Sequence, residues 1–413
     1  MRNNKRKTPA RLMLAAIMIF LGSAFLLLGF KDLKPLSFAL AASVPLAFYL
    51  ATVFIPRIFP ADRLMLAIVN FLCALGILVL YRMDPRQAIG QIINYGVGIA
   101  AMLFFIYFIR LAQRRPPLVL FLVLASLVLM VLPLVFGTER NGARAWVSLM
   151  GFGFQPSELV KVLMLIIEAY LLTKRKIFPA GLYAGFCLLA LMLQKDLGTA
   201  LIYYSVVLVM LWAATRSVLY LGIGFAGAGA GAVIGYQMFS HVKRRVAIWF
   251  NPWADYQGAG YQIVQSLIAI VNGGLWGTGL GLGNAYVIPA NTTDFVFSII
   301  LNEFGLIFGI CILLLYILLF LRGIGIALRS GSRFNAMLAM GSSVLIALQA
   351  FIIIGGNINM IPLTGVTLPF ISYGGTSMLS SMCIMGILQG VASLNEQEVE
   401  EDRELAVAQG GLE

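Results

Sequence analysis

The chain has 413 residues, 61% hydrophobic and only 11% charged, with a net charge of +12. Soluble domains carry about 25% charged and 45–50% apolar residues, so a soluble fold is excluded and lipid must cover the surplus. In such a protein the positive balance reports orientation and anionic lipid rather than nucleic acid.

The N-terminus is basic (Arg2, Lys5, Arg6, Lys7) and enters an apolar stretch too long for a signal-peptide core, which predicts a retained first helix. Apolar runs then predict twelve spans, near 12–30, 37–55, 64–81, 91–109, 118–136, 158–173, 179–194, 197–214, 217–237, 294–321, 335–355 and 376–393. Each is close to the roughly 20 residues a bilayer demands, those at 158 and 179 being short. No long polar stretch interrupts them, so they form one membrane domain. Cys73, Cys187, Cys311 and Cys383 all fall inside apolar runs, without metal-ligand spacing, and read as small buried hydrophobes. A single histidine, His241, excludes a histidine-rich metal site.

Threading twelve spans from a cytoplasmic N-terminus places eighteen of the 29 Lys and Arg residues inside. These are the N-terminal cluster with Arg11, then Arg57, Arg63, Arg110, Arg114, Arg115, Lys174, Arg175, Lys176, Arg216, Arg322, Arg329, Arg333 and Arg403. That bias predicts both termini in the cytoplasm. The segment 394–413 is strongly acidic and predicts a disordered cytoplasmic tail. Three outer segments are richer than connectors need to be: Gly137 to Glu158, Ser240 to Thr293, and Gly356 to Thr376. Polar and Gly/Pro-rich material gathered on one face is where binding and catalysis sit.

Charge at membrane depth is expensive and each instance needs a reason. Glu158 and Lys161, three apart at a helix start, share a face; a structural pair is the plainer reading. Lys195 and Asp196 sit at a tight outer turn, and Glu168 lies mid-helix nearer the inner side. Asp294 opens the tenth span, where capping and catalysis are equally open. Glu303, nine residues on, falls on a roughly opposite face. Lys243, Arg244 and Arg245 suit either a lipid-headgroup anchor or an anionic-substrate site, and Trp146, Trp249, Trp253 and Trp276 suit interfacial anchoring. The run GGLWGTGLGLG (273–283) lacks the GK[ST] of a phosphate loop. Composition and spacing thus give an outward site of carboxylates, cations and aromatics beside lipid. That suits a lipid-linked anionic substrate, or a transporter.

Six stretches in a fixed order go further: NGARAW (141–146), GFQPSELVK (153–161), QKDLGTA (194–200), RVAIWFNPWADYQGAGYQIVQSLIAIVNGGLWGTGLGLG (245–283), TDFVFSIILNEFG (293–305) and PLTGVTLPFISYGGTS (362–377). Together they resemble the SEDS family, the shape, elongation, division and sporulation proteins that polymerise peptidoglycan from lipid II. The resemblance spans about residues 64 to 393, and the family's acidic pair before the glycine reads Asn302-Glu303 here. It implies an all-α polytopic membrane fold of a ten-helix core (61–393) behind an added N-terminal pair (1–60), with large extracellular loops.

The resemblance also implies a glycosyltransferase of the bacterial plasma membrane, its site facing outward. The C4 hydroxyl of the acceptor GlcNAc attacks C1 of the donor MurNAc, undecaprenyl pyrophosphate leaves, and Asp294 matches the essential aspartate as general base. Arg144, Lys195, Arg244 and Arg245 are the cation candidates for the pyrophosphate. Glu158, Lys161 and Asp196 shape the cavity floor, with Gln155, Ser157 and Trp146 completing the substrate-binding set. A divalent cation, magnesium or manganese, is the cofactor candidate. The partners implied are lipid II, undecaprenyl-linked glycan and a class B penicillin-binding protein. The competing expectation is a lipid II flippase or transporter, for which broken helices should pair near the midplane. An inactive scaffold for wall enzymes is a third, against which the retained Asp294 counts.

Overall fold

Hydropathy translates into helices almost span for span. A computed structural model describes residues 7–112, 116–140, 142–149 and 152–410; Arg2, Lys5, Arg6, Arg114 and Arg115 of the orientation count lie outside them. The first five spans are α1 (Lys7–Asp32), α2 (Pro35–Ile58), α3 (Arg63–Met83), α4 (Pro85–Ala112) and α5 (Pro116–Phe136). After a small sheet come α6 (Pro156–Thr173), α7 (Ile177–Leu193), α8 (Leu197–Thr215) and α9 (Val218–Met238). Two shorter helices, α10 (Ser240–Phe250) and α11 (Tyr261–Gly273), precede the last three spans: α12 (Val296–Arg329), α13 (Arg333–Asn357) and α14 (Gly375–Gly410).

Ten of the described helices are long and apolar enough to cross a membrane. The two further predicted spans are α6, which carries Glu158, Lys161 and Glu168 in 18 residues, and α7, apolar but 17 residues long. Of the spans, α3 sits at the centre of the bundle, with 89% of its spanning window buried, against 6% for α9 at the lipid-facing periphery. Asp62 ties α3 to its neighbours, accepting from the N–H groups of Leu64 and Met65 (3.0 and 3.1 Å) and pairing with Arg322 of α12. Its backbone N–H donates to Gln389 of α14 at 2.8 Å.

Three features depart from the sequence expectations. The segment before α6 is an antiparallel sheet of β1 (Thr138–Arg140), β2 (Ala143–Leu149) and β3 (Phe152–Phe154) in that order, with Val147 opposite Phe154. Short runs rich in Val, Trp and Phe beside a glycine at φ 82° (Gly142) favour strands that a span-by-span hydropathy reading passes over. The tail is helix, not coil: α14 continues to Gly410 because Glu, Gln, Leu and Ala dominate that stretch and neither Gly nor Pro interrupts it before Gly410. Finally, α12 is broken at Gly305 (φ 83°, ψ 173°).

The glycine run after α11 fills that break. The N–H groups of Thr278 and Gly279 donate to the carbonyls of Asn302 and Glu303 (2.9 and 3.0 Å), while those of Leu306 and Ile307 donate to Gly274 and Leu275 (3.0 and 3.3 Å). Backbone groups freed by a helix break inside a bundle must find partners in protein, and here a loop supplies them.

Candidate active site

The loops at the end of the bundle that carries α10 and α11 enclose two cavities, of about 460 and 230 Å³. His241, Arg244, Trp249 and Asn359 line the larger; Trp146, Gln155, Glu158, Lys195 and Asp196 line the smaller. Three residues line both: Arg245, Asp294 and Gly365.

Asp294 ends a tight turn in which its N–H donates to Ala290 at 3.0 Å, Ala290 having φ 54°. The cap position of α12 belongs to Phe295, so Asp294 stands one residue ahead of the cap and the capping reading is set aside. Its main chain is clamped from two sides. Asn357, at the end of α13, donates from Nδ2 to the carbonyl of Asp294 at 2.7 Å, and accepts from Ser298 at 3.2 Å. Ser372 donates from Oγ to the carbonyl of Thr293 at 2.6 Å, and the Tyr373 N–H donates to Thr292 at 2.9 Å. Burial pushes the Asp294 carboxyl above the ordinary carboxylate range, while the Thr293 hydroxyl and the Arg245 charge pull it part of the way back.

Arg245, on α10, donates from Nη1 to the Thr364 carbonyl at 3.0 Å. Its guanidinium and the Asp294 carboxylate flank Gly365, whose added Cβ would lie 3.6 Å from both Arg245 Nη2 and Asp294 Oδ2. The three ion pairs among the described residues do not include these two. Burial lowers the proton affinity of Arg245, and the carboxylates Asp294 and Asp196 oppose it.

Around the smaller cavity Gln155 donates from Nε2 to Asp196 Oδ2 at 2.9 Å, while Asp196 Oδ1 caps α8 through the Thr199 N–H at 3.1 Å. Burial raises Asp196 above its usual range. Lys195 is exposed, on a left-handed residue (φ 61°). Glu158 pairs with Lys161 at 2.8 Å and accepts from Ser380 at 2.6 Å.

Three predicted substrate contacts fall elsewhere. Lys161 is 1% exposed and donates to Gln349 at 2.9 Å, so it lines neither cavity and bears on the site only through Glu158. Ser157 is buried behind the wall, its carbonyl taken by Tyr203 at 2.6 Å. Arg144 is exposed and lines neither cavity, although Ala143, Ala145 and Trp146 of the same strand line the smaller one. The residues that sequence reasoning missed are the holders of Asp294, namely Asn357, Ser372 and Tyr373. The outer segment Gly356 to Thr376 that contains them was singled out, but pairing at separations of 63 and 79 residues leaves no local signal.

A half-buried carboxylate beside a cation it does not pair with can take a proton and meet an anion in one place. The cell cycle protein family model of FtsW, RodA and SpoVE matches residues 61–397. The peptidoglycan glycosyltransferase RodA of Mycobacterium tuberculosis is 35% identical over 367 residues, covering 80% of this chain and 78% of its own. Stage V sporulation protein E of Bacillus subtilis is 34% identical over 317 residues (73% and 86%). Among solved structures, a chain of a peptidoglycan synthase complex that coordinates polymerization and crosslinking superposes with a TM-score of 0.70 at 28% identity, over 82% of this chain and 99% of that one. The rod shape determining protein RodA of Thermus thermophilus gives 0.60 at 28% identity, over 80% and 96%.

Proposed function

The chain belongs to the cell cycle protein family of FtsW, RodA and SpoVE, and on that premise we propose that it joins lipid-linked glycans where its two cavities meet, at Asp294. It is a multi-pass membrane protein and a peptidoglycan glycosyltransferase. The substrate is lipid II, and the growing strand stays linked to undecaprenyl pyrophosphate. Asp294 accepts the proton of the acceptor C4 hydroxyl as that oxygen attacks C1 of the donor sugar. A positioned base of raised proton affinity is worth about 10²–10⁴ in rate. Arg245, with Arg244 and Lys195 on either side, meets the pyrophosphate as its charge develops. Gln155 and Asp196 shape the smaller cavity, and Trp146 offers a face to a sugar ring. Among the described residues no group of three or more His, Cys, Asp or Glu could hold a metal ion. A Mg²⁺ or Mn²⁺ here would be held by the pyrophosphate oxygens together with one or two carboxylates, Asp294 being the nearest candidate.

The site lies on the outer face, both termini are cytoplasmic, and a class B penicillin-binding protein supplies crosslinking. Support for that partner is the neighbour taken from a synthase complex. The observation that carries the reading is the wall shared by the two cavities, where Asp294 and Arg245 stand together unpaired. Its test is purified protein with lipid II. Wild type yields glycan strands, and Asp294→Ala and Asp294→Asn yield none while remaining folded. Lipid scrambling without strands from the wild type would replace the polymerase with a flippase.

A further inference from the structure

The pair α1–α2 precedes the residues matched by the family model, yet it makes polar contact with the core: Asn70 of α3 donates from Nδ2 to Thr52 of α2 at 2.9 Å, and Lys31 reaches the glycine loop. Lys31, in the last turn of α1, donates from Nζ to the carbonyl of Gly281. Arg82, at the end of α3, donates from Nη2 to the same carbonyl at 3.0 Å, and its Nε stands 3.4 Å from Glu303 Oε1. The other oxygen of Glu303 accepts from the Gly281 N–H at 3.0 Å. Gly281 is thus gripped at both of its main-chain groups. None of the three charged side chains lines either cavity.

Gly281 belongs to the loop that repairs the break in α12. The loop holds glycines at φ 83° (Gly277), 101° (Gly279) and 77° (Gly281), a conformation with a high entropic cost of ordering. A loop of that kind docks reliably only if something fixes it, and the charged grip does so from outside the loop. The half-helix it completes begins at Val296, two residues after Asp294.

We propose that Lys31 is a positioning residue: with Arg82 and Glu303 it pins the glycine loop into the break of α12, so the added N-terminal pair acts as a strut that sets the aim of Asp294. This rests on the polymerase reading above. Glu303 is 3% exposed, so removing Arg82 leaves a buried carboxylate without its ion pair and threatens the fold. Lys31 binds only the carbonyl, and its loss should be graded.

The test uses the full chain in phospholipid nanodiscs, with two readouts: amide hydrogen exchange over residues 274–283, and steady-state polymerisation of lipid II. In Lys31→Met exchange should quicken about ten-fold, the scale of one charged hydrogen bond in an exposed setting. The same variant should lower kcat and leave KM unchanged. Lys31→Arg should restore both, and Lys34→Met, on the turn joining α1 and α2, should change neither. Unaltered exchange in Lys31→Met overturns the proposal, as does faster exchange with unaltered kcat. A wild type that makes no strands defeats the polymerase reading instead, and the exchange arm still decides the clamp.

Discussion

At Asp294 two needs oppose each other. A base must be buried enough to hold a proton when the sugar hydroxyl gives it up, and burial makes the ionised form costly. The raised proton affinity of Asp294 has a signed consequence for activity. The ionised form is the active one, so the rate falls as pH drops through the folded-state value, which lies above the ordinary carboxylate range of about 4. The acid limb of kcat/KM should therefore sit higher than a free aspartate would place it, and removing the Arg245 charge should move it higher still. Stability runs the other way. A carboxyl whose folded value exceeds its unfolded one contributes stability that is full below the unfolded value and lost as pH rises through the folded one. At neutral pH Asp294 therefore costs stability, and Asp294→Asn should melt no lower than wild type while losing activity. A lower melting temperature for Asp294→Asn at neutral pH would make the carboxylate a structural element rather than a base.

Among the elements, α12 departs furthest from what its sequence suggests. A run of 34 residues with high mean hydropathy reads as one long span, yet the helix is cut at Gly305 and its gap is filled by residues 274–279. That packing rests on close backbone approach. A Cβ on Gly277 would lie 2.2 Å from the Glu303 carbonyl, and its φ of 83° is already unfavourable for any side chain. At Gly274 φ is 55°, and an added Cβ meets nothing within 4 Å. The two glycines separate strain from collision. Gly274→Ala should cost about 1 kcal/mol, the backbone strain alone, and Gly277→Ala distinctly more, about 3 kcal/mol or above, because backbone must also shift. Denaturation of both variants in matched lipid checks the ranking; equal losses would mean that the loop does not sit in the break.

For the whole molecule, most of the architecture was legible because the bilayer imposes one length scale. Twelve apolar runs became α1–α9 and α12–α14, including the two short ones at 158 and 179. The Glu158–Lys161 pair was legible for the same reason, since spacing on a helix fixes proximity. What hydropathy could not reach was anything settled by contacts distant in sequence: the Asn357 and Ser372 holds on Asp294, the break at Gly305, and the bond from Lys31 to Gly281. Arg144 shows the converse limit, a residue rightly placed in its motif whose side chain is exposed and lines neither cavity. The remaining global quantity is orientation, which rests on the bias of Lys and Arg toward one end of the bundle. It matters because a base facing the wrong compartment could not meet a sugar delivered outside. Cys73, Cys187 and Cys383 are buried and Cys311 is exposed on α12, so a Cys311→Ser background leaves no accessible thiol among the described residues. In that background Trp253→Cys reports the end with the two cavities (Trp253 is 56% exposed), and Lys176→Cys, between α6 and α7, reports the other. A membrane-impermeant maleimide should label position 253 in intact cells, and position 176 only after permeabilisation. The reverse pattern would put Asp294 in the cytoplasm, where no strand could be built onto the wall, and the proposed chemistry would fail with it.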